Sequence, residues 1–165
     1  MKRYSVGQQS LGLAGWLLLC FAASFIGALA SFQAPSMYAQ LSQPQWAPPA
    51  WLFGPVWTML YGMMAVAVWL VWRQGGLRHN QQAVVWFVIQ LVLNALWSWL
   101  FFAWQQGLLS VINIGLLWVS ILMTIRCFQS TSLPAVLLMV PYLLWVSFAA
   151  VLNITMWRLN PTILG

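Results

Sequence analysis

Runs of about 20 apolar residues recur from one end of this chain to the other, and that recurrence leaves few folds open. In hydrocarbon every backbone N–H and C=O needs an internal partner, so only helices or a closed barrel cross a bilayer. The runs are continuous rather than alternating, which selects helices. The pattern predicts an all-α integral membrane protein, one transmembrane domain over 1–165, with helices at about 12–32, 49–72, 81–104, 108–128 and 133–157. A polar tail precedes the first run, and a polar loop at 33–48 comes after it.

Charge narrows the chemistry further. Of 165 residues, 63% are hydrophobic and 4% charged, with six Lys plus Arg and no Asp or Glu. A water-exposed surface needs about a quarter or more charged residues. Without carboxylates, acid–base carboxylate pairs, proton relays, Mg or Ca sites and triads with an Asp orienter all lack their parts. An ion-coupled transporter is disfavoured for the same reason. No resident cofactor, metal or nucleic-acid partner is expected, and no conventional catalytic residue is available. Cys20 and Cys127 lie far apart in apolar runs without CxxC spacing, and read as small core residues. His79, the one histidine, falls in a short polar connection and reads as a loop residue.

Ala28-Leu29-Ala30 before Ser31 has the look of a signal-peptide cleavage site, but the run is long enough to span and is expected to be retained as the first helix. Ala23, Gly27 and Ser31 form a small-residue stripe on it, open to close helix packing or to a dimer face. With five spans, Lys2, Arg3, Arg73, Arg78 and Arg126 share one side and Arg158 lies on the other. The positive-inside rule then puts the N-terminus in the cytoplasm of a bacterial cell membrane, with the long loop facing away.

The long loop and the second span organise the rest of the chain. Pro44 to Tyr61 is a proline-broken segment running into a long apolar helix. Proline fixes φ and donates no N–H, so Pro48 and Pro49 suit a helix start, near Pro49. Phe53, Trp57 and Tyr61 then lie on one helical face below a mouth holding Trp46 and Trp51. A polar loop of this length in a compact bundle is more often a lid than a spacer. Trp46, Trp51, Trp57, Trp97, Trp99, Trp104 and Trp157 all fall toward this half, more than an interfacial belt requires, so a pocket is expected to open there.

Few polar groups lie within the spans. Gln90, Asn113 and Asn153 are expected to tie helices together. Asn94 shares a stripe with Trp97 and Phe101, and either ties helices or meets a ligand. Pro141 is expected to bend the last helix, where Trp145, Ala149 and Leu152 share a face with room beside the indole.

Taken in order, several motifs resemble the TspO/translocator protein family, the tryptophan-rich sensory proteins or peripheral-type benzodiazepine receptors. They are Tyr38-Ala39-x-Leu41-x-x-Pro44-x-Trp46-x-Pro48-Pro49, Pro55-Val56-Trp57-x-x-Leu60-Tyr61, Leu93-Asn94 with Trp97 and Phe101-Phe102, Pro141-Tyr142-Leu143-Leu144-Trp145-x-x-Phe148-Ala149-x-x-Leu152-Asn153, and Trp157-Arg158. The resemblance implies a five-helix bundle, usually a homodimer, with a pocket under the first loop for porphyrins such as protoporphyrin IX or haem, sterols and benzodiazepine-type ligands. Carried over by position, the pocket residues are Tyr38, Trp46, Trp57, Asn94, Trp97, Trp145, Ala149 and Leu152. For bacterial members it also implies light-dependent, photo-oxidative degradation of protoporphyrin IX, an enzyme-like alternative to a receptor or carrier. Three positions depart from the family pattern: Met37 where a Trp is common, Asn113 where an acid is common, and Ile154-Thr155 where the sterol-recognition pattern wants a Tyr.

Overall fold

The computed structural model describes residues 4–32 and 34–165; Lys2, Arg3 and Gln33, which enter the topology and loop expectations, lie outside the described residues. Helix α1 spans Val6–Ala30. It begins about two turns earlier than hydropathy suggests, because Ser5 and Gln8 form a capping box: the Gln8 N–H donates to Ser5 Oγ at 3.3 Å and the Ser5 N–H to Gln8 Oε1 at 3.0 Å. The stretch from Val6 to Leu11 is therefore the first turns of the span.

The expected lid loop is not all loop. Its first part is a short helix, α2 (Ala34–Gln40). Pro49 stands immediately before a 3₁₀ turn, Ala50–Leu52, which runs into α3 (Phe53–Trp72), close to the start that the prolines predict. A one-turn helix α4 (Gly76–His79) leads to α5 (Gln81–Ser98). The last part of the third span is not α-helical: Trp99–Ala103 widens into a π-helical turn, closed by Trp104 N–H on Trp99 O at 2.8 Å. Such wider turns are rare and cluster at functional sites. Helices α6 (Gly107–Gln129) and α7 (Leu133–Leu159) complete the spans, with Pro141 inside α7, and α8 (Pro161–Leu164) is a terminal turn.

Among the described residues, five helices are long and apolar enough to cross a membrane. They close a ring in which α1 packs on α3 and α5, α3 on α7, and α6 between α5 and α7. Its two ends differ. Toward the end carrying Arg73, Arg78 and Arg126 the interior is filled by Met64, Val68, Val71, Phe87, Phe128 and Met139, all fully buried. Asn80 pins this end, donating to Val71 O and Gly76 O at 3.1 and 3.2 Å and accepting from Thr131 Oγ1 at 3.3 Å.

Amides cross-link the middle. Tyr61 Oη donates to Asn94 Oδ1 at 2.8 Å, Asn94 Nδ2 to Tyr142 Oη at 2.7 Å, and Tyr142 Oη to Gln90 Oε1 at 2.8 Å. One chain of hydrogen bonds thus joins α3, α5 and α7 across the ring axis. Asn113 Nδ2 ties α6 to Leu93 O at 2.9 Å, and Asn153 accepts from Trp97 Nε1 and Ser110 Oγ, both at 3.2 Å. The helix-tying reading of Gln90, Asn113 and Asn153 matches these bonds.

Candidate functional site

At the end opposite Arg73, Arg78 and Arg126 the ring does not fill. A chamber of about 330 Å³ lies beneath α2, between α1, α3 and α5. Its aromatic walls are Tyr38, Phe53, Trp57, Trp97 and Phe102, and Tyr61 with Asn94 forms its polar floor. Ser24, Gly27, Ala28 and Ser31 of α1 supply the remaining wall. Tyr38 and Phe53 also border a second, much smaller space of about 20 Å³, lined as well by Trp97, Ala149, Leu152 and Met156.

Of the eight positions carried over by resemblance, Tyr38, Trp57, Asn94 and Trp97 line the larger chamber, and Ala149 and Leu152 the smaller one. Trp46 and Trp145 line neither. Trp46 is 48% exposed and packs edge-on against Phe148 at 5.9 Å, as a roof tile outside the chambers. Trp145 sits behind Phe53, with ring centroids 6.0 Å apart. Its indole Nε1 is buried without a hydrogen-bond partner, the single such side-chain atom among the described residues. A buried orphan donor costs about 1–3 kcal/mol.

Asn94 ties helices together. Its two amide atoms are taken by Tyr61 and Tyr142, yet the residue still borders the chamber. Of the seven indoles expected near the mouth, only Trp57 and Trp97 line a chamber. Trp51 is 72% exposed, Trp99 donates to Ile26 O at 3.1 Å, and Trp104 is half-exposed, so much of the excess is interfacial belt and helix tie.

Sequence reasoning misses the α1 wall. The small-residue stripe that signals it points first to helix contact, and Gly27 does make one, since a Cβ there would come within 3.2 Å of Ser98 Oγ. The neighbouring small residues Ser24, Ala28 and Ser31 leave the chamber open. Asn160 is missed as well. Its Oδ1 accepts from Ser42 N–H at 2.7 Å, and its Nδ2 donates to Ser42 O at 3.0 Å and Met156 O at 2.9 Å. This amide clasps the loop to the end of α7. Within the lid, Tyr38 Oη donates to Pro48 O at 3.0 Å and Gln43 Nε2 to Tyr38 O at 2.6 Å. Burial pushes the Tyr38 phenol above its ordinary pKa, which keeps it a donor.

A five-span helical membrane protein with an aromatic-walled chamber under a clasped first loop is the class these observations define. The TspO/MBR family profile matches residues 16–158, and the chain belongs to that family. It is 44% identical to the tryptophan-rich protein TspO of Chlorobaculum tepidum over 94% of this chain and 100% of that one. It is 32% identical to the tryptophan-rich sensory protein of Cereibacter sphaeroides over 88% of this chain and 89% of that one. The translocator protein of Homo sapiens is 36% identical over 74% of each chain.

Proposed function

We propose that this protein is a membrane receptor or carrier for a flat hydrophobic ligand, with a tetrapyrrole such as protoporphyrin IX or haem as the best-matched class. The observation that carries the reading is the larger chamber: about 330 Å³, aromatic-walled, with one amide–phenol pair at its floor. That is the size and polarity of a small-molecule site. Stacking on indole or phenyl faces contributes about 1 kcal/mol per ring pair beyond area burial. The chain holds no Asp or Glu, so ligand propionates meet no carboxylate repulsion. The name of the human relative, translocator protein, is consistent with a carrier.

The same reading places the protein in a bacterial cell membrane as a homodimer, with the end bearing Arg73, Arg78 and Arg126 in the cytoplasm and the lid facing away. Titration of tryptophan fluorescence with protoporphyrin IX tests the site. Saturable quenching in the micromolar range, about −8 kcal/mol, is expected, weakened tenfold or more in Trp57→Ala and less in Trp145→Ala. Absence of saturable quenching, or quenching that neither substitution alters, sinks the proposal.

A further inference from the structure

Helix α1 changes partner along its length. Near its start it is bound to α3: Trp69 Nε1 donates to Gln9 O at 2.9 Å, and a Cβ on Gly12 would run into the Trp72 ring. Near its end it is bound to α5: Trp99 Nε1 donates to Ile26 O at 3.1 Å, and a Cβ on Gly27 would stand 3.2 Å from Ser98 Oγ. Cys20 between them is fully buried, and one turn further on Ser24 already lines the larger chamber. The chamber therefore fills the gap left where α1 leans on α5 instead of α3.

That gap is not closed from outside. Ala28 on the α1 edge and Gly54 and Thr58 on the α3 edge line the chamber and are also exposed, and nothing stands within 4 Å of where a Cβ on Gly54 would lie. Thr58 is eight residues into the span that begins at Ala50, and Ser24 is six from the end of α1 at Ala30. At 1.5 Å per residue the opening runs about 9–12 Å down the helices, a depth that meets acyl chains rather than water. The edges suit that setting. Thr58 Oγ1 donates to Gly54 O at 2.9 Å and Ser31 Oγ to Gly27 O at 3.1 Å, so each hydroxyl is satisfied by its own helix, as hydrocarbon demands. Above the chamber, by contrast, the loop is tied down by Asn160 on both backbone groups of Ser42, by Tyr38 on Pro48 and by Gln43 on Tyr38.

We propose that the chamber exchanges its guests sideways with the membrane, through the seam between α1 and α3, and that the first loop is a roof rather than a gate. The class of guest follows: molecules that dissolve in the bilayer before they bind. The seam is a property of the fold, whereas its use by a ligand rests on the proposed function.

Two measurements in phosphatidylcholine vesicles separate these. In a Cys20→Ala, Cys127→Ser background, nitroxide labels on Ala28→Cys and Thr58→Cys report which phase the seam meets, with Gln45→Cys, exposed on the loop, as the water-facing reference. Oxygen concentrates in hydrocarbon and a nickel chelate in water, so the oxygen-to-nickel collision ratio is expected to be about tenfold higher at 28 and 58 than at 45. Equal ratios overturn the seam. Stopped-flow tryptophan quenching by protoporphyrin IX then reads its use. Gly54→Leu narrows the passage and is expected to slow association and dissociation together by about tenfold, whereas a lost contact would speed dissociation alone. Ala28→Leu carries the same test should Gly54→Leu not fold. Asn160→Ala, which releases the roof, is expected to leave both rates unchanged. Faster exchange in Asn160→Ala, or unchanged rates in both leucine variants, overturns the sideways route. Lipid-facing labels with no porphyrin bound by any variant leave the seam standing and remove the tetrapyrrole.

Discussion

Trp97 and Trp145 make the sharpest contrast at the residue scale. Both are indoles in the spans near the chambers, yet the Trp97 N–H is bonded to Asn153 while the Trp145 N–H has nothing. Changing either to Phe removes similar apolar surface, so the transfer terms nearly cancel. The polar terms do not. Trp97→Phe takes a donor from Asn153, whereas Trp145→Phe removes the orphan itself and its penalty. Trp97→Phe is therefore expected to destabilise the unliganded protein more than Trp145→Phe does, by about 1–3 kcal/mol, read from unfolding in SDS–maltoside mixtures. Equal losses would mean that the Trp145 N–H is satisfied in the membrane protein. Neither assignment is visible in the sequence, where both residues show only as Trp on an apolar helix; partners 56 residues away, or the lack of any, are properties of the packed bundle.

The clasp at the end of α7 belongs to the scale of elements. Gly107 opens α6 where a Cβ would run into Trp157 Cδ1 and the backbone oxygen of Leu164. Leu164 ends α8 and is fully buried, and Asn160, the joint between α7 and α8, holds Ser42 of the lid. Gly107→Ala must push α8 away, and overpacking of this kind costs about 1–3 kcal/mol. The cost falls on the clasp. The Ser42 amide is expected to exchange its hydrogen on the order of tenfold faster, the equivalent of about 1.4 kcal/mol, as in Asn160→Ala. Unchanged protection of Ser42 would show that the lid is held by other contacts. The five spans are legible in the sequence because bilayer length leaves a coarse hydropathy record that no loop erases. Helix α2 is not, since Ala34–Gln40 is too short to show a helical period and begins Ala-Pro-Ser. The early start of α1 is legible in principle from Ser5 and Gln8, but hydropathy outweighs the cap. The π-turn at Trp99–Ala103 has no sequence signature that distinguishes it from one more turn of α5.

For the whole molecule, the missing carboxylates govern how it responds to pH. Acid weakens most folded proteins because carboxylates with depressed native pKa values must be protonated, and stability is lost as pH falls through those values. This chain has no Asp or Glu, and its cohesion runs through amide, hydroxyl and indole hydrogen bonds such as Tyr61–Asn94–Tyr142–Gln90 that hold no proton to gain in that range. Its unfolding midpoint in a neutral detergent is expected to stay level between about pH 5 and pH 3, where carboxylates titrate. The alkaline side differs in sign and in cause. Burial raises the Tyr38 pKa in the folded state, so the neutral phenol is favoured by folding. Its contribution is fully present below the ordinary value of about 10 and is lost as pH climbs through the raised one. The phenolate cannot donate to Pro48 O, so the lid should loosen first. A melting-midpoint profile over pH, run on the parent and on Tyr38→Phe, checks both arms: the parent should be level in acid and decline above about pH 10, with a shallower decline in Tyr38→Phe. A steep acid limb would reveal a proton-binding group that the side chains of this sequence do not contain.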